Sequence, residues 1–222
     1  MRIAIIGAGG FAREIAWLVR DIAEHQALNK TTDPMNVAGF LVSDLSKVGE
    51  RDEKALGDFS WLERNHVDGL AMGIGSPEIR CRLSAELKNR FPQLRWPALI
   101  HPSVKYDSSC RFAEGVTVSA GTIATVNVSL DAFSMVNLSC TLGHESRIGA
   151  WSVVNPLTAI SGGVKVGQRV LVGTHASVLQ YVSVGNDAII GSGAMVGKDV
   201  EPGTTVVGVP AKPREKAASA SA

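Results

Sequence analysis

The sequence predicts two architectures in one chain of 222 residues: a small α/β unit with a parallel sheet, then a parallel β-helix. Three observations carry this prediction. A short apolar run, Ile3-Ala4-Ile5-Ile6, enters the turn Gly7-Ala8-Gly9-Gly10 and is followed by a helical pattern. Helical spacing vanishes from about residue 99. From Phe112 to Val196 every sixth residue is apolar, fifteen in a row. With 45% of the chain hydrophobic, such a run arises by chance on the order of once in a hundred thousand frames.

Taken in order, residues 3–6 read as a buried strand. Phe11 to Ala23 then place Ile15, Leu18, Val19 and Ile22 at helical spacing. Residues 37–42 (VAGFLV) read as a second strand and residues 69–74 as a third. A second helix starts with Ser76 as N-cap and Pro77 at its first position, presents Ile79, Leu83 and Leu87, and ends near Arg90. Strand, glycine turn, helix and further strands make an α/β unit over residues 1–98.

In the second half the beat runs Leu130, Val136, Leu142, Ile148, Val154, Ile160, Val166 and on. Two residues before each beat stands a small or aliphatic residue, such as Cys140, Ser146, Ser152 or Val164. The residue after it is rich in Gly, Asn and Asp, as at Gly143, Gly149 and Gly167, types that tolerate positive φ. Two inward residues and a corner describe one face of a prism, and three faces close a coil of 18 residues. Coils stack at roughly 4.8 Å, and only the stack buries a core. Residues 99–209 are expected to form five to six coils, with 210–222 as a tail, of which 214–222 (REKAASASA) read as disordered.

Composition narrows the function classes. The formal net charge is +1, which favours neither nucleic acid nor a membrane surface. Cys81, Cys110 and Cys140 are too few for a disulfide framework and form no CxxC pair, so no metal site is expected. The start MRIAIIGAGG lacks the apolar core and cleavage site of a signal peptide, and no stretch approaches the ~18 apolar residues of a membrane span. A cytoplasmic protein is expected.

Two stretches carry candidate chemistry. GAGGFA at 7–12 fits G-x-G-x-x-G/A between a strand and a helix, where glycines let backbone approach a phosphate and the helix N-terminus favours its charge. The unit is therefore read as Rossmann-like. It has room for only three or four strands, fewer than a dinucleotide site usually uses. Packing alone is the bland alternative for the loop. The second stretch is TLGHESRIGA at 141–150. His144 lies two residues past the inward Leu142, pointing outward, and the residue one coil further is Gly162, followed by Gly163. A neutral imidazole suits proton abstraction near pH 7, and bare backbone at Gly162 leaves room for a slender ligand and offers an N–H to a developing oxyanion. An exposed turn histidine is the bland alternative here. His175 has no adjacent carboxylate, His101 precedes Pro102 at the domain junction and reads as structural, and His25 and His66 sit in polar stretches.

IIGAGGFAREI, IGSPEIR at 74–80, GHESRIG at 143–149 with SGGVKVG at 161–167, and VVGVPAKP at 206–213 together resemble the hexapeptide-repeat sugar O- and N-acyltransferases, over most of the chain. The branch includes sialic acid O-acetyltransferases and N-acetyltransferases of nucleotide-linked amino sugars. The resemblance implies a left-handed β-helix and a homotrimer with CoA and acceptor sites between neighbours. It also implies acetyl-CoA as co-substrate and a nucleotide sugar at Gly7, Gly9, Gly10, Phe11 and Asp44. His144 would be the general base, Glu145 its partner, and Gly162 the oxyanion support; Gly162, Gly173, Gly191 and Lys198 would line the CoA groove. The chain departs from its relatives at Phe11, where they commonly carry His. It departs again at Val42-Ser43-Asp44, where they often carry an acidic pair, and at Val153, where some carry a second His. N- or O-transfer, UDP or dTDP, a free sugar as acceptor, a longer acyl group and a non-catalytic scaffold stay open on the residues alone.

Overall fold

The computed structural model describes residues 1–214; the tail expected to be disordered lies outside the described residues from 215 on. The chain opens with β1 (Arg2–Ile6), α1 (Gly10–Leu28), β2 (Asn36–Val42), β3 (Ala55–Asp58), β4 (Gly69–Met72) and α2 (Pro77–Arg90). The four strands form one parallel sheet in the order β3-β2-β1-β4. β1 is central, and Ile3, Ala4, Ile5 and Ile6 are all buried, as a continuous apolar run in a parallel sheet requires. α1 buries Ile15, Leu18, Val19 and Ile22, the expected stripe, but continues five residues past Ala23 to Leu28 because that last stretch is held by backbone bonds without burying an apolar face.

Two elements differ from expectation. β3, with the sequence ALGD, has no apolar alternation and owes its place to pairing with β2 at the sheet edge. α2 is capped by Ser76 Oγ, which accepts from Ile79 N–H at 3.4 Å, and carries Pro77 at its start, as predicted. Its buried face, however, is Arg80, Leu83, Ser84 and Leu87; Ile79 is 37% exposed.

From Leu99 to Val196 the backbone becomes two-residue strands in three parallel sheets, fitting the left-handed parallel β-helix that the resemblance implies. The first face stacks Leu99–Ile100, Thr117–Val118, Met135–Val136, Val153–Val154, Leu171–Val172 and Ile189–Ile190. The second runs from Lys105–Tyr106 through Thr141–Leu142 to Met195–Val196, and the third from Arg111–Phe112 through Arg147–Ile148 to Ser183–Val184. Pairings such as Leu130↔Ile148, Ile148↔Val166 and Val166↔Val184 keep the 18-residue register. After Val196 the repeat shortens: Val184 bridges Val200 and Ile189 pairs with Thr205, both 16 residues on.

One apolar cluster fills the prism from Val104 to Val206. At several of the polar second inward positions the hydroxyl serves a corner carbonyl, whereas Ser134 Oγ is buried without a partner among the described residues. Ser146 Oγ donates to Gly143 O, Ser152 Oγ to Gly167 O and Thr158 Oγ1 to Asn155 O, each at 2.7 Å. The positive φ angles fall elsewhere than expected. They sit three residues after the inward beats from Phe112 to Ile190, as at Glu145 (φ 61°), Trp151 (61°) and Tyr181 (63°), not immediately after them. The glycine right after the beat answers to proximity instead: a Cβ on Gly149 would stand 2.3 Å from Gly167 O on the next coil.

The α/β unit lies against the first face. The outward residues Leu99, Thr117, Met135 and Val153 are 1% exposed, whereas Ile189, further along the same face, is 42% exposed. Leu99 joins the α1 cluster, and Phe133 and Trp151 join the cluster around Leu83 and Leu87. Among the described residues no helix is long and apolar enough to cross a membrane.

Candidate active site

The corner between the second and third faces carries His144. Leu142 points into the core, Gly143 allows a tight approach to the next coil, and Glu145 takes the left-handed backbone, turning both side chains outward. Their side chains are 52% and 59% exposed, and His144 Nδ1 lies 3.1 Å from Glu145 Oε2. A carboxylate only accepts, so in the neutral ring this contact places the proton on Nδ1 and leaves the Nε2 lone pair open. The adjacent residues do meet, which the sequence alone left undecided.

Nε2 faces Gly162. A Cβ there would lie 2.4 Å from His144 Nε2 and 2.5 Å from Cε1, so the imidazole rests directly on the glycine. Gly163 N–H donates to His144 O at 2.7 Å and locks the two corners together. Gly162 N–H has no acceptor among the described residues. One coil beyond Gly162 the same column carries Gln180, and Lys198 follows at its end, two residues past Val196, where the repeat shortens. Lys198 is exposed and makes no ion pair among the described residues.

Gly173 and Gly191 are not brought to His144 within one chain. They stack on each other at the corner between the first and second faces. A Cβ would meet Ser192 N at 2.4 Å at Gly173, and Val207 Cγ1 at 2.7 Å at Gly191. His175 occupies that same corner, exposed, with a φ of 60°. Tyr181, which the sequence reading passed over, is 71% exposed, and its ring covers Gly163; a Cβ on that glycine would lie 2.4 Å from Tyr181 Cδ1. The signal was there, since 181 is 163 + 18. An open groove of about 790 Å³ runs from Glu145 along the outside of the third face past Arg147, Lys165 and Ser183.

A second concavity, about 350 Å³, opens at the carboxyl ends of β1 and β2 and is lined by Gly7, Asp44, Lys47, Asp52, Ile74 and Arg82. Gly7 adopts φ 105°, and a Cβ there would press on Gly73 O at 2.9 Å. Gly9 caps α1 without a side chain, and the first helical bond, Arg13 N–H to Gly9 O, leaves the amides of Gly10, Phe11 and Ala12 without intrahelical partners. No acidic residue occupies the first turn of α1, so its positive end is uncompensated from within. Asp44 accepts from Ser46 N–H (3.0 Å) and Ser46 Oγ (2.6 Å), bonds that hold its carboxyl below the usual range; Lys47 Nζ is 3.4 Å away. Phe11 turns away from this cavity and packs on the α1 cluster. Asp52 was not foreseen. It reaches the glycine loop, its Oδ1 being 3.5 Å from a Cβ placed on Gly9.

No protein-family model and no curated protein matches the chain. Solved structures do. The perosamine N-acetyltransferase of Caulobacter crescentus, as a variant in complex with CoA and GDP-perosamine, is 26% identical, with a TM-score of 0.82 over 97% of this chain and 98% of its own. PerB of the same organism, in complex with the same two ligands, is 28% identical (TM-score 0.80, 97% and 98%). The acetyltransferase domain of PglB from Neisseria gonorrhoeae is 25% identical (TM-score 0.81, 96% and 99%).

Proposed function

We propose that this chain, which resembles sugar N-acetyltransferases over 96–97% of its length, moves an acetyl group from acetyl-CoA to the amino group of a nucleotide-linked amino sugar. The carrying observation is the imidazole of His144, held by Glu145 on one nitrogen and seated on Gly162 with the other. The sugar amine attacks the thioester carbonyl carbon while Nε2 takes the amine proton. Glu145 steadies the imidazolium that results. Gly162 N–H supports the oxyanion. As the C–S bond breaks, the CoA sulfur leaves and the proton on Nε2 returns to it.

In this reading residues 1–98 are a Rossmann-like unit whose 350 Å³ cavity takes the nucleotide, its diphosphate near the free amides of α1 and the cations Lys47 and Arg82. Residues 99–209 are the transferase. Three copies pack side by side as a homotrimer, and Gly173 and Gly191 reach the CoA groove from a neighbour's corner while Lys198 meets a CoA phosphate from the His144 column. Both substrates are then drawn from the cytoplasm. Relatives solved with GDP-perosamine favour a nucleotide amino sugar over a free sugar such as sialic acid as acceptor.

His144→Ala is expected to lose about 10²–10⁴ in turnover and to keep its CoA affinity by calorimetry. Near-normal turnover removes the mechanism. Thermal-shift titration with GDP-, UDP- and dTDP-linked amino sugars, each with and without CoA, separates the acceptor classes. Stabilisation by CoA and by none of the nucleotide sugars points to a free sugar and O-transfer, and stabilisation by a nucleotide sugar without any acetyl transfer points to a non-catalytic scaffold.

A further inference from the structure

Arg80 is fully buried, at 0% exposure, and its partners are carbonyls: no carboxylate pairs with it among the described residues. Nε and Nη2 both donate to Phe133 O, at 3.0 and 2.8 Å, and Nη1 donates to Ile74 O at 2.8 Å. Burial pushes the guanidinium down to about 9, which leaves it charged at neutral pH. A cation taken out of water with no counter-ion is costly, and charge-assisted bonds to backbone oxygens are what hold it there.

The two carbonyls belong to different halves of the chain. Ile74 sits in the turn after β4; its side chain lines the 350 Å³ cavity and presses on the glycine loop, Cδ1 being 3.0 Å from a Cβ placed on Gly7. Phe133 is a left-handed corner of the β-helix between the third and first faces, its ring edge-on to Trp96 with centroids 5.1 Å apart. Four residues along α2, Ser84 Oγ accepts from Trp151 Nε1 at 2.9 Å. Trp151 is the same corner one coil on (133 + 18 = 151), and it follows His144 within a single coil. α2 is thus bolted at two points to the coil region that carries the base, while its first turn and the turn before it wall the cavity.

We infer that Arg80 is a positioning residue, which fixes the nucleotide cavity at one setting relative to the β-helix and so holds the sugar's reactive group within reach of His144. The inference rests on the proposed transfer reaction. In a trimer it sets the cavity equally against the subunit's own His144 or a neighbour's, because all three copies share the setting.

The test compares two acceptors on the full-length protein: the nucleotide amino sugar, and the same amino sugar without its nucleotide at high concentration. Only the first depends on where the cavity stands. Arg80→Lys keeps the charge but cannot span both carbonyls, and is expected to lower kcat for the nucleotide sugar about 10- to 100-fold. Its nucleotide Kd, its CoA Kd and its acetylation of the free amino sugar stay within threefold. Trp151→Phe removes the neighbouring bond at a shallower point and is expected to act in the same direction more weakly, which serves should Arg80→Lys not fold. Equal loss on both acceptors, or no loss on either, overturns the inference. Failure of the functional reading looks different: the unmodified protein then acetylates neither acceptor.

Discussion

Gly162→Ala isolates the contact on which the proposed mechanism turns. The new methyl would stand 2.4 Å from Nε2 and 2.5 Å from Cε1 of His144. Ordinary contact begins near 3.5 Å, so the ring must retreat by about 1 Å. The three atoms nearest the added carbon all belong to that one half-exposed ring. The fold therefore has an easy route to relief, and the change in stability is expected within about 0.5 kcal/mol. A misplacement of about 1 Å at a reacting group costs on the order of 10²-fold in rate, about 2.7 kcal/mol of barrier. The assay follows CoA thiol release with a thiol-reactive dye at saturating substrates, alongside a thermal melt. The expected result is a near-native melting temperature with turnover down about a hundredfold. Adding Gly162→Ala to His144→Ala should cost nothing further, since the clash is then gone. Turnover within about threefold of the unmodified protein refutes the placement of Nε2 as the base.

Three further outcomes follow from the packing and the charges. Ile148, wholly buried and paired on both sides by Leu130 and Val166, should cost about 2–5 kcal/mol when cut to Ala, read from the urea midpoint. Asp68 accepts Arg2 N–H at 2.6 Å, which holds its carboxyl below the usual range. A depressed carboxyl stabilises the fold above its unfolded value of about 3.9 and loses that contribution as pH falls through the folded value. Asp68→Asn should therefore flatten the stability profile below about pH 4, and an unchanged acid limb counts against it. Lys47→Ala with Arg82→Ala should weaken nucleotide binding and reduce its dependence on salt, while CoA affinity holds.

The repeat made most of the second half legible. Once 18 residues is the coil, the neighbour of His144 is Gly162 by arithmetic, and the structure places them in contact. The same arithmetic separates Gly173 from His144, because 173 − 144 = 29 is not a multiple of 18. Gly, Asn and Asp after each beat suggested positive φ there, yet close coil stacking was the reason for the glycines, and Glu145, Trp151 and Tyr181 carry the left-handed corner. In the first half the apolar stripe of α1 was plain. β3 was not, since ALGD is recruited by an edge rather than by its own pattern. Arg80 was invisible for a related reason. A charged residue on a helix reads as solvent-facing, and only the β-helix packed against α2 supplies the carbonyls that let it lie inside.

The shortened last repeat decides whether the molecule stays finite. A stack of parallel coils ends in three rows of unpaired amides and carbonyls, each a template for another chain. Here the chain doubles back across the first and second faces, and Val200 adds a single parallel bridge to the third. Lys212–Pro213 runs antiparallel to Thr205–Val207, Ala211 N–H donates to Met195 O while Met195 N–H donates to Gly208 O, and Val200 N–H donates to Ser183 O as Gly185 N–H donates to Val200 O. Pro213, lacking an N–H, offers the outermost strand one donor fewer for any newcomer. At this end of the stack the hexad rhythm is stopped by residues 200–213, which take up edge positions that a further coil would need.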